Sequence, residues 1–205
     1  MNAPLSHALF ASQELSALQA WASRDWEAPS PDFVKRQVLL RNGWPNATWV
    51  ETGTFMGQTT ALLAQHAAQV VSIEPEPTLC AKAKERFAAQ ANVHIVHGLS
   101  EAVFPKLLPM INGAVNFWLD GHYSAGVTHK GPIDTPIRQE LAAIDAQLSR
   151  WGAVCICIDD LRLCTSTDPQ FDAYPPLEEL VAWAGQHGLD WHIEHDIFVA
   201  KRGAP

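Results

Sequence analysis

From residue 47 onward, short apolar runs alternate with segments that have helical character. Five of these runs lie at Thr48–Thr52, Val70–Glu74, Val93–His97, Ala114–Asp120 and Ala153–Asp159. Several are continuously apolar, which is typical of strands that are covered on both faces. Because helical segments separate the runs, the pattern predicts a mostly parallel sheet with right-handed crossover connections.

The segments between the runs are predicted helices, near residues 57–68, 77–90, 100–110, 136–150 and 175–187. The fourth has the clearest periodicity. Its apolar stripe consists of Ile137, Leu141, Ile144 and Leu148. Apolar residues at this spacing form one face of an amphipathic helix.

The chain closes with two further β-rich runs, Leu189–Glu194 and Ile197–Ala200, which only His195-Asp196 separates. So short a connection predicts a hairpin. We therefore predict an α/β fold of the Rossmann-like, doubly wound type. Its seven-stranded sheet is mostly parallel and has an antiparallel C-terminal edge hairpin.

Residues 1–45 lie outside this alternation and are predicted to form an N-terminal helical cap on a main domain of residues 46–205. Ser30 and Pro31 are predicted as the N-cap and first residue of a helix that ends at Asn42-Gly43. An earlier helix is indicated by Leu15, Leu18 and Ala22. The tryptophans of this segment (Trp21, Trp26 and Trp44) are expected to pack between cap and sheet, or to line an acceptor site.

Composition narrows the classes of partner. With 14 basic and 22 acidic residues the net charge is −8, and no Lys/Arg-rich run is present. This argues against binding to nucleic acid or to an anionic membrane. No apolar run approaches the roughly 20 residues of a membrane span, and the N-terminus lacks a secretory signal pattern. Four cysteines without a C-x-x-C pair predict reduced, buried thiols in a cytoplasmic protein.

Acids or glycine turns follow nearly every predicted parallel strand. They are Glu51, Glu74, Gly98-Leu99-Ser100, Asp120 and Asp159-Asp160. In doubly wound sheets, ligands bind beyond the carboxyl ends of the strands. Carboxylates gathered at one edge repel one another unless a ligand or metal uses them. The pattern therefore predicts a binding site at this edge.

The first strand leads into a glycine turn, Gly53-Thr54-Phe55-Met56-Gly57, followed by Gln58 and Thr59. Glycines four residues apart let the backbone pass close to a ligand. The turn matches neither G-x-G-x-x-G nor a P-loop, which needs a lysine. The acid before it, Glu51, favours a ligand with a positive centre or hydroxyl groups. Glu74 follows at about 20 residues, where an acid accepts hydrogen bonds from ribose hydroxyls.

The pattern Glu51-x-Gly53-x-x-x-Gly57, followed by Glu74, resembles motifs I and II of class I S-adenosylmethionine-dependent methyltransferases. The resemblance covers roughly residues 47–201. It implies that the glycine turn wraps the methionine moiety, that Glu74 binds the ribose, and that Gly98-Leu99-Ser100 lies on the adenine side. The donor-binding residues that it implies are Glu51, Gly53, Thr54, Phe55, Gly57, Thr59, Glu74, Gly98, Leu99, Ser100 and Asp120.

The acids after the fourth and fifth strands, Asp120 and Asp159-Asp160, are similar to those of metal-dependent small-molecule O-methyltransferases of the macrolide-sugar and catechol types. This resemblance implies that the three aspartates hold Mg²⁺, and that the acceptor is a hydroxyl of a small molecule, a sugar-containing metabolite being favoured. A divalent cation lowers the pKa of a hydroxyl bound to it. His122 is the candidate general base, and Lys130 is a second choice.

Several alternatives stay open from the sequence. The chain could be a metal-independent N- or carboxyl-methyltransferase, or a non-catalytic protein that binds S-adenosylmethionine or a nucleotide. A dehydrogenase on a similar sheet is a further alternative, against which the missing G-x-G-x-x-G argues. An Asp-Asp pair at a strand end is also a plausible helix or turn cap. A homodimer is common for this fold, but no residue pattern argues for one.

Overall fold

The computed structural model describes residues 3–121 and 135–203, with side chains from residue 13 onward. The strands are β1 (Thr48–Thr52), β2 (Gln69–Glu74), β3 (Val93–His97), β4 (Val115–Leu119), β5 (Val154–Ile158), β6 (Asp190–Glu194) and β7 (Ile197–Arg202). The helices are α1 (Ala3–Ala22), α2 (Asp32–Asn42), α3 (Gln58–Leu63), α4 (Pro77–Arg86), α5 (Ser100–Leu107), α6 (Ile137–Leu148), α7 (Leu161–Cys164) and α8 (Leu177–Gln186). Short 3₁₀ turns lie at Leu108–Met110 and Pro169–Phe171.

The seven strands form one sheet in the order β3-β2-β1-β4-β5-β7-β6. β1 to β5 are parallel, and β7 pairs antiparallel with both β5 and β6. The predicted seven-stranded, mostly parallel sheet with a reversed C-terminal hairpin is confirmed. The predicted strand boundaries agree with the observed ones to within two residues.

The register of the central strands brings their carboxyl ends level with one another. Thr52 of β1 pairs with Leu119 of β4, and Leu119 pairs with Ile158 of β5. The residues that follow these strands therefore emerge side by side at one edge. This is the geometric basis of the site described below.

Helices cover both faces of the sheet. All five residues of β4 and all five of β5 are buried, as expected for central strands between two helical layers. Phe117 packs in the core that includes Phe104 of α5 and Leu141 of α6. Its neighbour Trp118 points to the opposite face, where the core includes Val38 and Leu39 of α2. The four cysteines are free and buried, as predicted.

Helix α2 is therefore one of the helices that cover the second face of the sheet. Its start differs by one residue from the prediction, because Pro31 precedes the helix and Ser30 makes no capping hydrogen bond. The Ser30 hydroxyl instead donates to the carbonyl oxygen of His195 in the β6–β7 turn, at 3.4 Å. This contact ties the segment before α2 to the C-terminal hairpin. The division of the chain at residue 45 stays a prediction.

In the described parts of the chain, no helix is both long enough and apolar enough to cross a bilayer.

Candidate active site at the carboxyl ends of the strands

The glycine turn after β1 is a tight left-handed loop. Gly53, Phe55 and Gly57 have φ angles of +85°, +47° and +72°. The Gly53 and Thr54 N–H groups donate to the carbonyl oxygen of Ile73 at 3.0 and 3.3 Å, which ties the turn to β2. Glycine adopts positive φ more readily than other residues, which explains the glycines at two of these three positions. Their predicted close approach to a ligand stays a prediction.

Glu74 clamps this turn from the end of β2. Its Oε2 accepts a hydrogen bond from the Phe55 N–H at 2.7 Å, and its Oε1 accepts one from the Glu76 N–H at 2.9 Å. The residue is 4% exposed. A carboxylate has about four lone-pair sites, so two amide bonds leave acceptor capacity for a ligand's hydroxyls. The ribose role of Glu74 stays a prediction.

Glu51 lies beneath the turn, between β1, β2 and α3. It is 1% exposed, and its Oε2 accepts hydrogen bonds from the hydroxyls of Thr60 and Ser72, both at 2.5 Å. Burial raises the pKa of Glu51 to about 7, although the two hydroxyl hydrogen bonds lower it. Glu51 supports the loop from inside the protein and does not line the cavity described below. Its predicted contact with a donor stays a prediction.

The raised pKa of Glu51 predicts a pH dependence of stability. The folded protein keeps this proton up to about pH 7, whereas the unfolded chain loses it near pH 4.5. The stability that the protonated Glu51 carboxyl contributes is therefore complete below pH 4.5 and is lost as the pH rises through 7. This group should lower the free energy of unfolding by about 3 kcal/mol over that range.

Urea denaturation of the wild type and of Glu51→Gln, at several pH values from about 5 to about 8, measures this effect. The glutamine keeps a polar partner for both hydroxyls but cannot ionise, so its stability should fall less with pH. Glu85→Gln, at an exposed position, is the control and should follow the wild type. Parallel curves for all three proteins would show that Glu51 does not carry the dependence.

The other predicted donor residues lie around the same edge. The Thr54 hydroxyl is hydrogen-bonded to the Ser72 hydroxyl at 2.6 Å and is buried. The Asp120 N–H donates to Thr52 Oγ1 at 3.1 Å, which joins the ends of β4 and β1. Beyond β3, Gly98 adjoins an apolar groove whose lining includes Val96 and Val103.

Leu99 and Ser100 lie where α5 begins, and Val103 of the same helix lines that groove. Leu99 precedes the helix, and Ser100 is its first residue and is buried. Their predicted place beside an adenine ring is compatible with the groove next to Gly98, and it stays a prediction.

A cavity lies where these strand ends meet the cap. Its lining from the glycine turn and α3 consists of Gly53, Thr54, Phe55, Gln58 and Thr59. The remaining lining residues are Asp32, Lys35 and Arg36 of α2, together with Trp118, Asp120 and Asp159. Acidic and basic side chains thus face the same space, so the cavity suits a ligand that carries both signs of charge.

Lys35 is a residue of this candidate site that the sequence did not predict. Its Nζ lies 2.7 Å from Asp159 Oδ1 and 3.2 Å from Asp160 Oδ1. Lys35 belongs to the buried face of α2, which also contains Val38, Leu39 and Asn42. A lysine at a position of the apolar stripe is the signal that could have found it, because an unpaired ammonium is not buried without cost.

The charges of this ion pair shift one another's pKa. Burial lowers the pKa of Lys35, but the carboxylates of Asp159 and Asp160 outweigh it, so the pKa lies above the ordinary lysine value. Burial raises the pKa of Asp159, and the Lys35 ammonium partly offsets this. Lys35 is therefore a permanent cation at neutral pH.

Asp160 is held by a second cation. Its backbone is left-handed, with φ +55°, and its N–H donates to Asp159 Oδ1 at 2.8 Å. Arg162 forms ion pairs with Asp160 and with Asp196 of the β6–β7 turn. The Asp159-Asp160 pair thus has two cationic partners, Lys35 and Arg162, and Arg162 is shared with Asp196.

This arrangement does not fit a Mg²⁺ ion held by Asp120, Asp159 and Asp160. The Lys35 ammonium contacts both carboxylates of the pair, and a metal ion held by them would have to bind the same oxygens. Within the described ranges, 3–121 and 135–203, no three His, Cys, Asp or Glu side chains are grouped to hold a metal ion.

The tryptophans of the N-terminal segment do not line the cavity. Trp21 is buried and packs edge-to-face against Trp26 and His195, at ring-centroid distances of 5.1 and 5.5 Å. The Trp44 indole donates to the carbonyl oxygen of Val154 at 3.1 Å. Trp21 and Trp44 therefore pack as predicted, whereas Trp26 is 58% exposed.

The two candidate bases, His122 and Lys130, lie outside the described residues. Their roles stay predictions.

Comparison with known proteins supports the fold. No protein-family model and no curated protein sequence matches the chain. Among solved structures, the chain is similar to the O-methyltransferase from Bacillus cereus in complex with SAH. The TM-score is 0.54 at 18% identity, over 93% of this chain and 90% of that one.

Two other solved structures have a comparable likeness. The N-methyltransferase NodS from Bradyrhizobium japonicum WM9 has a TM-score of 0.53 at 14% identity, covering 82% of this chain and 92% of that one. A candidate rRNA methylase from Clostridium thermocellum has a TM-score of 0.52 at 14% identity, covering 82% and 93%. Identities this low relate the folds alone. The chain has the Rossmann-like fold of the class I S-adenosylmethionine-dependent methyltransferases.

Proposed function

We propose that this protein transfers the methyl group of S-adenosylmethionine to an oxygen of a small molecule. One observation carries the proposal: on a methyltransferase fold, a left-handed glycine turn is clamped by Glu74 beside a cavity of mixed charge. The donor is itself a molecule of mixed charge, with a sulfonium, an ammonium and a carboxylate. Its chemistry matches that of the cavity.

Each part of the donor has a complementary neighbour at this edge. Arg36 would pair with the carboxylate of the methionine moiety, and Asp120 would attract its ammonium or the sulfonium. Glu74 would accept hydrogen bonds from the ribose hydroxyls, as an acid at the end of a second strand does. The apolar groove next to Gly98 would take the adenine ring.

The reaction needs positioning more than charge stabilisation. An acceptor oxygen attacks the methyl carbon, the carbon–sulfur bond breaks, and its electron pair neutralises the sulfonium. The proton of the acceptor hydroxyl passes to a base, for which His122 is the first candidate and Lys130 the second. The turn and α2 would align the donor and acceptor, and such alignment supplies much of the rate in bimolecular transfers.

The choice of acceptor rests on charge and on the resemblance found in the sequence. The compared structures include an O-methyltransferase, an N-methyltransferase and a candidate rRNA methylase, so they do not select one. A net charge of −8 argues against RNA. An oxygen of a small molecule, with a sugar-containing metabolite as the favoured class, is the proposal that remains, in a cytoplasmic enzyme.

The contact of Lys35 with both aspartates favours a variant of this function. The Mg²⁺ assistance that the resemblance implies loses support, because the cation of the acid pair is a lysine. A metal-independent transferase that acts on a nitrogen or carboxyl group is the second candidate. A protein that binds the donor without transfer is the third.

Calorimetric titration with S-adenosylmethionine tests the donor site. We expect saturable binding by the wild type, and affinity lower by about tenfold to a hundredfold in Glu74→Gln. That range corresponds to about 1.5–3 kcal/mol, the worth of hydrogen bonds to a charged group. Glu85→Gln, at an exposed site, should bind like the wild type. A folded wild type that binds no donor would overturn the proposed function.

A further inference from the structure

Asp159, Asp160 and Lys35 form a buried ion cluster at the wall of the cavity. Lys35 reaches both oxygens of Asp159, Oδ1 at 2.7 Å and Oδ2 at 2.8 Å, and Asp160 Oδ1 at 3.2 Å. The side chains of the three residues are 11%, 5% and 9% exposed. Lys35 and Asp159 also line the cavity, so the cluster borders the space in which an acceptor would lie.

We infer that the Lys35 ammonium is the resident cation of the Asp159-Asp160 pair, and that it excludes a divalent metal from this site. The inference deepens the proposed function: a donor site with a lysine here would serve a metal-independent transfer.

The charges around the pair support the inference. Asp159 and Asp160 already have cationic partners, because Lys35 contacts both and Arg162 pairs with Asp160 as well as with Asp196. A divalent cation binds carboxylate oxygens at about 2.0–2.6 Å, so it would have to enter the contact that Lys35 now makes. At such a separation the metal and the ammonium would repel each other strongly in a buried site.

The anchoring of both cations makes displacement difficult. Lys35 belongs to α2, whose Val38 and Leu39 are fully buried against the sheet. Arg162 is held by Asp196, and the Arg162 N–H also donates to Asp196 Oδ1 at 2.7 Å. Neither side chain can leave the pair without losing these partners or exposing a buried carboxylate.

A lysine in place of a metal would change which acceptors fit the site. A bound metal selects acceptors with two neighbouring oxygens that chelate it. With an ammonium in its place, a vicinal diol has no such advantage. A single hydroxyl or a carboxylate, which can accept a hydrogen bond from Lys35, serves equally well.

The test uses Mn²⁺ as the probe, with free Mn²⁺ followed by electron paramagnetic resonance and Mg²⁺ by calorimetry. We expect no saturable binding by the wild type at concentrations up to millimolar. Lys35→Met keeps the length of the side chain and removes its charge, and it should gain one Mn²⁺ site. Lys35→Met/Asp160→Asn should lose that site again. Lys84→Met, at an exposed position, should behave like the wild type.

Two results would overturn the inference. One is Mn²⁺ binding by the wild type that disappears in Asp159→Asn. The other is a folded Lys35→Met that binds no Mn²⁺, because the acids would then need no cation. If Lys35→Met is unfolded without metal but folds when Mn²⁺ is added, as judged by circular dichroism, the inference is supported. If Lys35→Met folds in neither condition, the wild-type titration tests the inference: no Mn²⁺ binding supports it, and Mn²⁺ binding that requires Asp159 overturns it.

Titration of the same wild-type sample with S-adenosylmethionine separates this inference from the proposed function. Absence of donor binding would remove the methyltransferase proposal and leave the lysine cluster intact. Donor binding together with a wild-type Mn²⁺ site that requires Asp159 would overturn the inference about Lys35 and leave the methyltransferase proposal intact.

Discussion

Replacement of Lys35 by methionine is expected to lower the free energy of unfolding by about 3–5 kcal/mol, the cost of removing one partner from a buried ion pair. The reason is that Asp159 and Asp160 are nearly inaccessible to water, with side chains 5% and 9% exposed. Without Lys35, both carboxylates lose the cation that contacts them at 2.7 and 3.2 Å. Urea denaturation at neutral pH, with circular dichroism as the readout, measures the loss.

A matched control is available on the same helix. Arg41 forms an ion pair with Glu194, but its side chain is 56% exposed. Arg41→Met should therefore cost only about 0–1 kcal/mol, as surface pairs do. The double variant Lys35→Met/Asp159→Asn should lose less than the sum of its single variants, because the two residues contact each other. Equal losses for Lys35→Met and Arg41→Met would contradict the assignment of Lys35 to a buried pair.

Gly53→Ala is expected to lower both stability and donor affinity. A Cβ at this residue would lie 2.7 Å from the carbonyl oxygen of Asp120, and the residue has φ +85°. Left-handed backbone costs a residue with a Cβ about 1–2 kcal/mol, and overpacking costs about 1–3 kcal/mol more. Since relief of the clash separates the turn from the end of β4, affinity for S-adenosylmethionine should fall by at least about tenfold.

Gly113→Ala separates the two causes. Gly113 has φ +81°, and a Cβ there would meet nothing within 4 Å. It should show the backbone cost alone, about 1–2 kcal/mol, with unchanged donor affinity. Denaturation and calorimetric titration of both variants measure the difference. Equal losses of stability at the two glycines would mean that the close contact with Asp120 adds nothing to the cost of Gly53→Ala.

The strands could be predicted because their signal is local. Continuous apolar runs such as Ala153–Asp159 leave few alternatives to a buried strand, and the short connection at His195-Asp196 leaves few to a hairpin. The N-cap of α2 was predicted at Ser30, one residue too early, because a tertiary contact engages this serine. The hydroxyl of that serine is directed to the β6–β7 turn, which is distant in the sequence.

Glu51 has a structural role that the local pattern did not predict. An acid before a glycine turn was interpreted as a group facing the ligand. Glu51, however, is 1% exposed, and it is hydrogen-bonded to Thr60 and Ser72 inside the protein. The other acid of the pattern, Glu74, lies at the end of β2 and accepts a hydrogen bond from the Phe55 N–H of the turn.

The sequence by itself determined the order of strands and helices, the glycine turn, and the acids at the strand ends, because each depends on residues near one another in the chain. Only the tertiary structure decided which cation those acids meet. Lys35 and Asp159 are 124 residues apart, and no local spacing relates them. Their contact arises because α2 packs across the second face of the sheet, so that its buried lysine reaches the end of β5.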